Sequence, residues 1–326
     1  MRNRRMKKFY KICKYRQTQL KSYLEEQLSD YGYKVAWGDG YLYAKGDIPV
    51  LLTAHLDTVH TKSVDTITKF KDKNGNMIIF SPEGIGGDDR CGVYMILHIL
   101  KETKLRPSIL FCEDEEIGGK GSEKFCKTEF IEDLKEMKFL LELDRANKTD
   151  AVFYDCGNIN FINFILEETG YTEEFGSFSD ISNLSPVCNV ASVNLSCGYY
   201  NQHTLQEYVI WEEMFSTIKI VEKLLIRATE NDVPYFDFQE ITSYNYSKYN
   251  KYLYTSYDKS FGYTTYNNDF TYDSYENEAM VEFIFFDGNK EKTEFIKGDS
   301  YNECLGILMK NNPKICYEDI LDWIEY

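Results

Sequence analysis

Five short segments hold most of the residues able to bind a metal or move a proton: Thr53-Ala54-His55-Leu56-Asp57, Gly86-Gly87-Asp88-Asp89-Arg90, Glu113-Asp114-Glu115-Glu116-Ile117-Gly118, Leu141-Glu142-Leu143-Asp144 and Asn201-Gln202-His203. The chain has four histidines, at 55, 60, 98 and 203, and two of them fall in this set. Three carboxylates and two imidazoles gathered without a cation would repel one another and strand desolvated charge. Two divalent ions remove the conflict. One carboxylate bridges them at about 3.5–4 Å, and each ion takes one histidine and one further carboxylate. Such ligands with an open coordination position suit two Zn2+, with Co2+ or Mn2+ as substitutes. One acidic residue then stays unligated and takes the proton of the bridging water.

Strand ends must position these segments. Pro49–Ala54 is a continuous apolar run, as expected of a central strand buried on both faces. Ser108–Cys112, Lys138–Leu143 and Val190–Leu195 read as further strands, and each precedes one of the segments. Tyr33–Ala36 with Tyr41–Ala44, and Thr66–Lys71 with Met77–Phe80, read as hairpins around glycine turns. Apolar spacing predicts helices over residues 4–30, 91–100, 122–134 and about 205–228. The alternation predicts an α/β fold, a mixed-sheet αβα sandwich. Open sheets of this class bind ligands beyond the carboxyl ends of their strands, which brings the five segments to one edge.

The composition sets the outer limits. Hydrophobic residues are 43% and charged residues 28%, enough for a packed core in a chain of one or two domains. The net charge of −16 argues against nucleic acid as the main partner. Nine cysteines contain no CxxC pair and read as reduced thiols in a cytoplasmic protein. No long apolar run predicts a membrane span, and the basic start MRNRRMKKFYKICKYRQ lacks the apolar stretch of a secretory signal. The texture changes near Val233-Pro234: eleven of the 27 tyrosines lie in 235–275. Residues 1–228 are therefore expected to form the catalytic domain. Residues 229–326 are expected to form a small appended α+β module, with a hairpin over 280–297 and helices over 301–310 and 317–326. Tyrosine gives broad contact area at low entropy cost, so this module is suited to substrate selection or self-association.

In order, HLDTV, GGDDRCG, DEEIG, LELD and NQH–E resemble the ligand pattern of the co-catalytic dizinc exopeptidases, a clan of peptidase T-like tripeptidases, aminopeptidases, glutamate carboxypeptidases and N-acyl amino-acid deacylases. The likeness spans roughly residues 45–228. It implies that Asp88 bridges both metals, that His55 and Asp144 complete one site, and that Glu116 and His203 complete the other. Glu115 would be the general base and Asp57 the carboxylate that orients His55. The implied activity is hydrolysis of a peptide bond by a metal-bound hydroxide, in an aminopeptidase- or tripeptidase-like exopeptidase. A deacylase or carboxypeptidase acting on a small peptide or an N-acyl amino acid would use the same machinery. A non-catalytic binding protein on this fold is the rival class, and the complete ligand set with Glu115 argues against it. The short spacing from His55 to Asp88 and from Asp144 to His203 leaves no room for an inserted dimerisation domain. His60 stands where relatives often have proline.

Blander readings apply to several of these residues. Asp89 is expected to cap the following helix while Asp88 binds metal, and His98, among apolar neighbours, to be structural. Gly118–Ser122 fails the phosphate-loop pattern because glycine follows Lys120. Arg145 and His60 are candidate substrate contacts, Arg145 for a carboxylate. Cys91 and Cys112 read as packed thiols rather than nucleophiles.

Overall fold

The computed structural model describes residues 2–241, 279–287, 290–298, 307–308, 310–312 and 320–325. The chain divides into two units, Met1–Phe261 and Gly262–Tyr326.

The first unit begins with α1 (Arg2–Lys14) and α2 (Gln17–Asp30), followed by β1 (Val35–Gly38), β2 (Tyr41–Ala44), β3 (Ile48–His55), β4 (Thr68–Lys71) and β5 (Met77–Phe80). Then come α3 (Gly87–Glu102), β6 (Pro107–Cys112), α4 (Lys120–Phe125), α5 (Ile131–Leu134), β7 (Phe139–Arg145), β8 (Asp150–Val152), α6 (Ile159–Thr169), β9 (Thr172–Glu173) and α7 (Asp180–Cys188). The unit continues with β10 (Ser192–Ser196), β11 (Tyr199–Tyr200), β12 (Tyr208–Ile210) and α8 (Trp211–Ala228).

The main sheet runs β1-β2-β6-β3-β7-β10-β8-β9, and its centre, β6-β3-β7-β10, is parallel. Continuous apolar runs pay off here because both faces are covered. Val50, Leu52 and Ala54 of β3 face one core while Leu51 faces the other. In β6 and β7 the same alternation sends Ile109, Phe111, Phe139 and Leu141 to the first core and Leu110 and Leu140 to the second. The fold is the expected mixed-sheet αβα sandwich.

Several expected elements change. The single helix over 4–30 breaks at Tyr15-Arg16, where the Arg16 backbone N–H bonds Gln19 Oε1 and starts α2. The helix over 122–134 is two short helices. The long helix starts at Trp211, because Tyr208–Ile210 pairs with β5 instead. Residues 146–189, where the spacing predicts no element, supply α6, capped by Asn158, and α7 with Pro186 inside it.

The first unit also continues past Ala228. Val233 and Phe236 are buried in its core, and Phe236 packs on Phe139, Phe161 and Phe164 at centroid distances of 5.2–6.5 Å. Its backbone N–H donates to Lys138 O and its carbonyl accepts from Ala191 N. A boundary at 228 would cut through this packing. Phe236→Ala should cost about 3 kcal/mol, read as a lower urea midpoint; an unchanged midpoint would count against its place in the core.

In the second unit, β13 (Ala279–Asp287), β14 (Lys290–Gly298) and β15 (Ile320–Glu325) form an antiparallel sheet with β13 in the middle. The hairpin is as expected, whereas the helix expected over 317–326 is a strand across 320–325. Its spacing fits a helix, but the second edge of β13 demands backbone partners, and pairing overrides local pattern. Most of the tyrosine-rich 235–275 stretch lies outside the described residues.

His98 on α3 is buried, stacked on Tyr94 with centroids 5.7 Å apart and edge-to-face with Phe215 at 4.9 Å. Burial, helped by the nearby charge of Arg5, lowers its pKa from 6.5 to about 4. The unfolded chain therefore binds this proton first. Stability is full above pH 6.5 and falls as pH drops towards 4. At about pH 5 the loss is about 2 kcal/mol. His98→Phe should lack it, so urea unfolding of metal-stripped wild type and variant should diverge between neutral and mildly acidic pH. Parallel curves would contradict the assignment.

Candidate active site

His55 is the last residue of β3, Asp144 lies near the end of β7, and the Glu113–Glu116 loop follows β6. These carboxyl ends are adjacent because β6, β3 and β7 pair in parallel register, with His55 opposite Cys112. Asp88 enters from the start of α3. Asp89, fully buried beside it, accepts hydrogen bonds from His55 N at 3.1 Å and Gly92 N at 2.8 Å, so it fastens both the strand end and the helix start.

Asp88 is central. Its Oδ1 lies 2.9 Å from His55 Nε2, and its Oδ2 lies 3.2 Å from His203 Nε2. His55 Nε2 is also 3.4 Å from Asp144 Oδ1, and His203 Nε2 is 3.0 Å from Glu116 Oε2. His55, Asp88 and Glu116 each offer an atom within 4.8 Å of the others. Asp57 Oδ1 faces His55 Nδ1 at 3.2 Å, and its two oxygens accept from the backbone N–H groups of Glu115 and Glu116 at 3.0 Å each. Asp57 thus fixes one histidine and the loop carrying both glutamates.

The acidic run divides by role. Glu113 binds buried Lys21 of α2 at 2.5 Å and Asp114 accepts from Gln17 Nε2, which leaves Glu115 and Glu116 for the centre. Glu115 lines a 140 Å³ cavity with Asp88, Asp144, Arg145 and His203. A larger cavity of 470 Å³ lies on the side of Asp57, His60 and Glu116.

Protein charges alone leave this cluster in conflict. Burial, then the charges of Asp144, Asp180 and Asp88 against the help of His55, raises the Glu115 carboxyl to about 9. Burial and Asp88 raise Asp144 to about 7. Hydrogen bonds to Asp88 and Glu116 raise His203 to about 10. Burial works against a charge on His55, but Asp144, Asp57 and Asp88 outweigh it and hold its pKa well above 6.5. Glu116 Oε1 is buried without a hydrogen-bond partner among the described residues. A set of this kind fits cations.

Arg145 reaches Asp150 at 3.4 Å while lining the smaller cavity. His60 is directed elsewhere, with Nε2 2.8 Å from Glu207 Oε2. Sequence reading gave no role to Glu207, Tyr199, Asn194 or Arg90. Tyr199 Oη donates to Asp144 O at 2.8 Å, and Asn194 Oδ1 accepts from Asp144 N at 2.9 Å. Arg90 donates to the carbonyls of Leu56 and Tyr15. Arg90 stands inside GGDDRCG and Glu207 four residues after His203, but nothing in their types announces backbone bonds to distant loops.

An αβα sandwich with histidines and carboxylates gathered at the carboxyl ends of its central strands is the fold that this chain shares with a solved aminopeptidase and a solved tripeptidase. Residues 42–168, which hold His55, Asp88, Glu115, Glu116 and Asp144, match the model of Peptidase family M28. The fold is similar to aminopeptidase PepT from Bacillus cereus, with TM-score 0.55 and 14% identity over 71% of this chain and 99% of that one. It is also similar to a tripeptidase from Staphylococcus aureus, with TM-score 0.54 and 13% identity over 70% and 99%. A TET aminopeptidase from a marine sediment archaeon gives TM-score 0.50 and 12% identity over 69% and 97%. No curated protein matches the chain. No helix among the described residues is long and apolar enough to cross a membrane.

Proposed function

We propose that the chain is a dizinc exopeptidase of the aminopeptidase or tripeptidase type. One observation carries the reading: the two oxygens of Asp88 face different histidines, and each histidine also faces a further carboxylate. His55 and Asp144 would hold one ion, His203 and Glu116 the other, with Asp88 between them. When bound, the two ions would polarise the scissile carbonyl and supply a water acidic enough to attack near neutral pH.

The chain's own groups do the rest. Glu115, which lines the cavity beside Asp88 and Asp144, accepts the nucleophile's proton on its carboxylate and delivers it to the leaving nitrogen. Asp57 holds the His55 ring through Nδ1 and fixes the Glu115 backbone, so the base and one ligand are aligned together. Co2+ and Mn2+ would fit the same donors.

One observation favours a second reading, a carboxypeptidase or N-acyl amino-acid deacylase. Arg145 lines the cavity beside Asp144 with its Nε paired to Asp150 at 3.4 Å, and the rest of its guanidinium would receive a substrate carboxylate. Metal analysis coupled to a panel of aminoacyl, dipeptide, tripeptide and N-acyl amino-acid substrates tests both. Cleavage only of substrates with a free amino terminus supports the first reading, and cleavage only of N-blocked ones the second. Protein that holds no metal and gains no activity from zinc, cobalt or manganese would refute the dizinc reading. We assign substrate selection or self-association to residues 229–326, which carry the tyrosine-rich stretch and hold no histidine.

A further inference from the structure

Glu207 has no solvent exposure, and a buried carboxylate persists only where donors surround it. Three do. Oε2 accepts from Gly86 N at 2.8 Å and lies 2.8 Å from His60 Nε2, and Oε1 accepts from Asp88 N at 2.9 Å. One side chain therefore grips the backbone on both sides of Gly87, immediately before the side chain that stands between the two histidines. Gly86 is in the left-handed region at φ 63°, and a Cβ on Gly87 would lie 2.8 Å from Tyr199 Cβ and 3.2 Å from Glu207 Oε1. The grip thus needs this backbone.

The loop that supplies Glu207 also supplies His203, whose ring meets the Asp88 carboxylate. Residues 203–207 hold Asp88 at two points, by its peptide N–H and by its Oδ2. His60 completes the arrangement from the segment after β3. Its ring packs so closely over Gly84 that a Cβ there would fall 2.3 Å from Nδ1. A proline at 60 could not donate to Glu207.

We infer that Glu207 is a positioning residue that sets the place of Asp88 between His55 and His203, and that His60 orients the Glu207 carboxylate for this task. The inference rests on reading Asp88 as the shared metal ligand. Glu207 touches neither substrate nor metal.

The test uses the full chain. In Glu207→Gln an amide nitrogen replaces one acceptor and faces a backbone N–H. Its zinc affinity, read by competition with a chromophoric chelator, should fall by about 10–100-fold, the range for groups that orient ligands. The absorption spectrum of the cobalt-loaded variant should change, which a purely structural defect would not produce. His60→Gln should weaken binding in the same direction by less. The double variant should be no weaker than Glu207→Gln alone, because both act through one carboxylate.

Folded Glu207→Gln with wild-type affinity and spectrum overturns the inference. If that variant does not fold, amide hydrogen exchange in metal-stripped wild type decides. Gly86 and Asp88 N–H should then be as protected as the β3 core, and fast exchange at both overturns the inference. Wild-type protein that takes up no metal overturns the dizinc reading and this inference with it. Wild type that binds zinc beside an equally competent Glu207→Gln overturns the clamp alone.

Discussion

Glu115→Gln should lower turnover by about 10²–10⁴-fold while metal content stays near that of wild type, the range expected when a general base is lost. The glutamate lines the cavity beside Asp88 and Asp144, and the carboxylates that face the two histidine Nε2 atoms are Asp88, Asp144 and Glu116. The isosteric amide keeps the loop in place, because Asp57 holds that loop by the Glu115 and Glu116 backbone rather than by their side chains. The measurement pairs metal analysis with turnover on the best peptide substrate. Glu116→Gln or His203→Ala should instead lose metal along with activity. If Glu115→Gln emptied the site and Glu116→Gln did not, base and ligand would have to be exchanged.

Asp88→Asn should have the larger effect on metal. The amide sets a donor nitrogen against one of two imidazoles and removes the charge at the centre of the cluster. Metal should drop from about two ions per chain towards none, with turnover falling to background, and chelation of wild type should reproduce the activity loss. Loss of a single ion with full retention of the other would show that Asp88 serves one site rather than two. Without metal, the variant should be less stable than metal-free wild type near neutral pH, because it removes the carboxylate that pairs with both His55 and His203, and those pairs, which hold the Asp88 carboxyl well below the usual carboxylate range, outweigh its repulsion with Asp89 and Asp144. An unchanged or higher thermal midpoint for the metal-free variant at neutral pH would contradict that account.

The amino-acid order by itself determined the central strands and the cluster at their ends. Runs such as Val50–Leu52 and Ile109–Cys112 are apolar at every position, the pattern of strands covered on both faces, and charged residues follow where the strands emerge. His55, Glu115, Glu116 and Asp144 were legible for that reason. The acidic run after β6 did not say which carboxylates turn inward. Lys21 and Gln17 of α2, about a hundred residues earlier in the chain, draw off Glu113 and Asp114.

Tertiary structure also decided what local pattern misread. Ile320–Glu325 has helical spacing but pairs with the open edge of β13, and Phe236 joins a core that the composition change near Val233-Pro234 seemed to close. The same holds for Glu207 and His60. The glutamate of NQH–E stands in the quoted pattern without a role until the chain brings the backbone of Gly86 and Asp88 against it. Hydrogen bonds from a side chain to a distant backbone leave no mark on residue type or spacing, because any residue but proline offers the same N–H. Which N–H it is depends on where the fold places the loop.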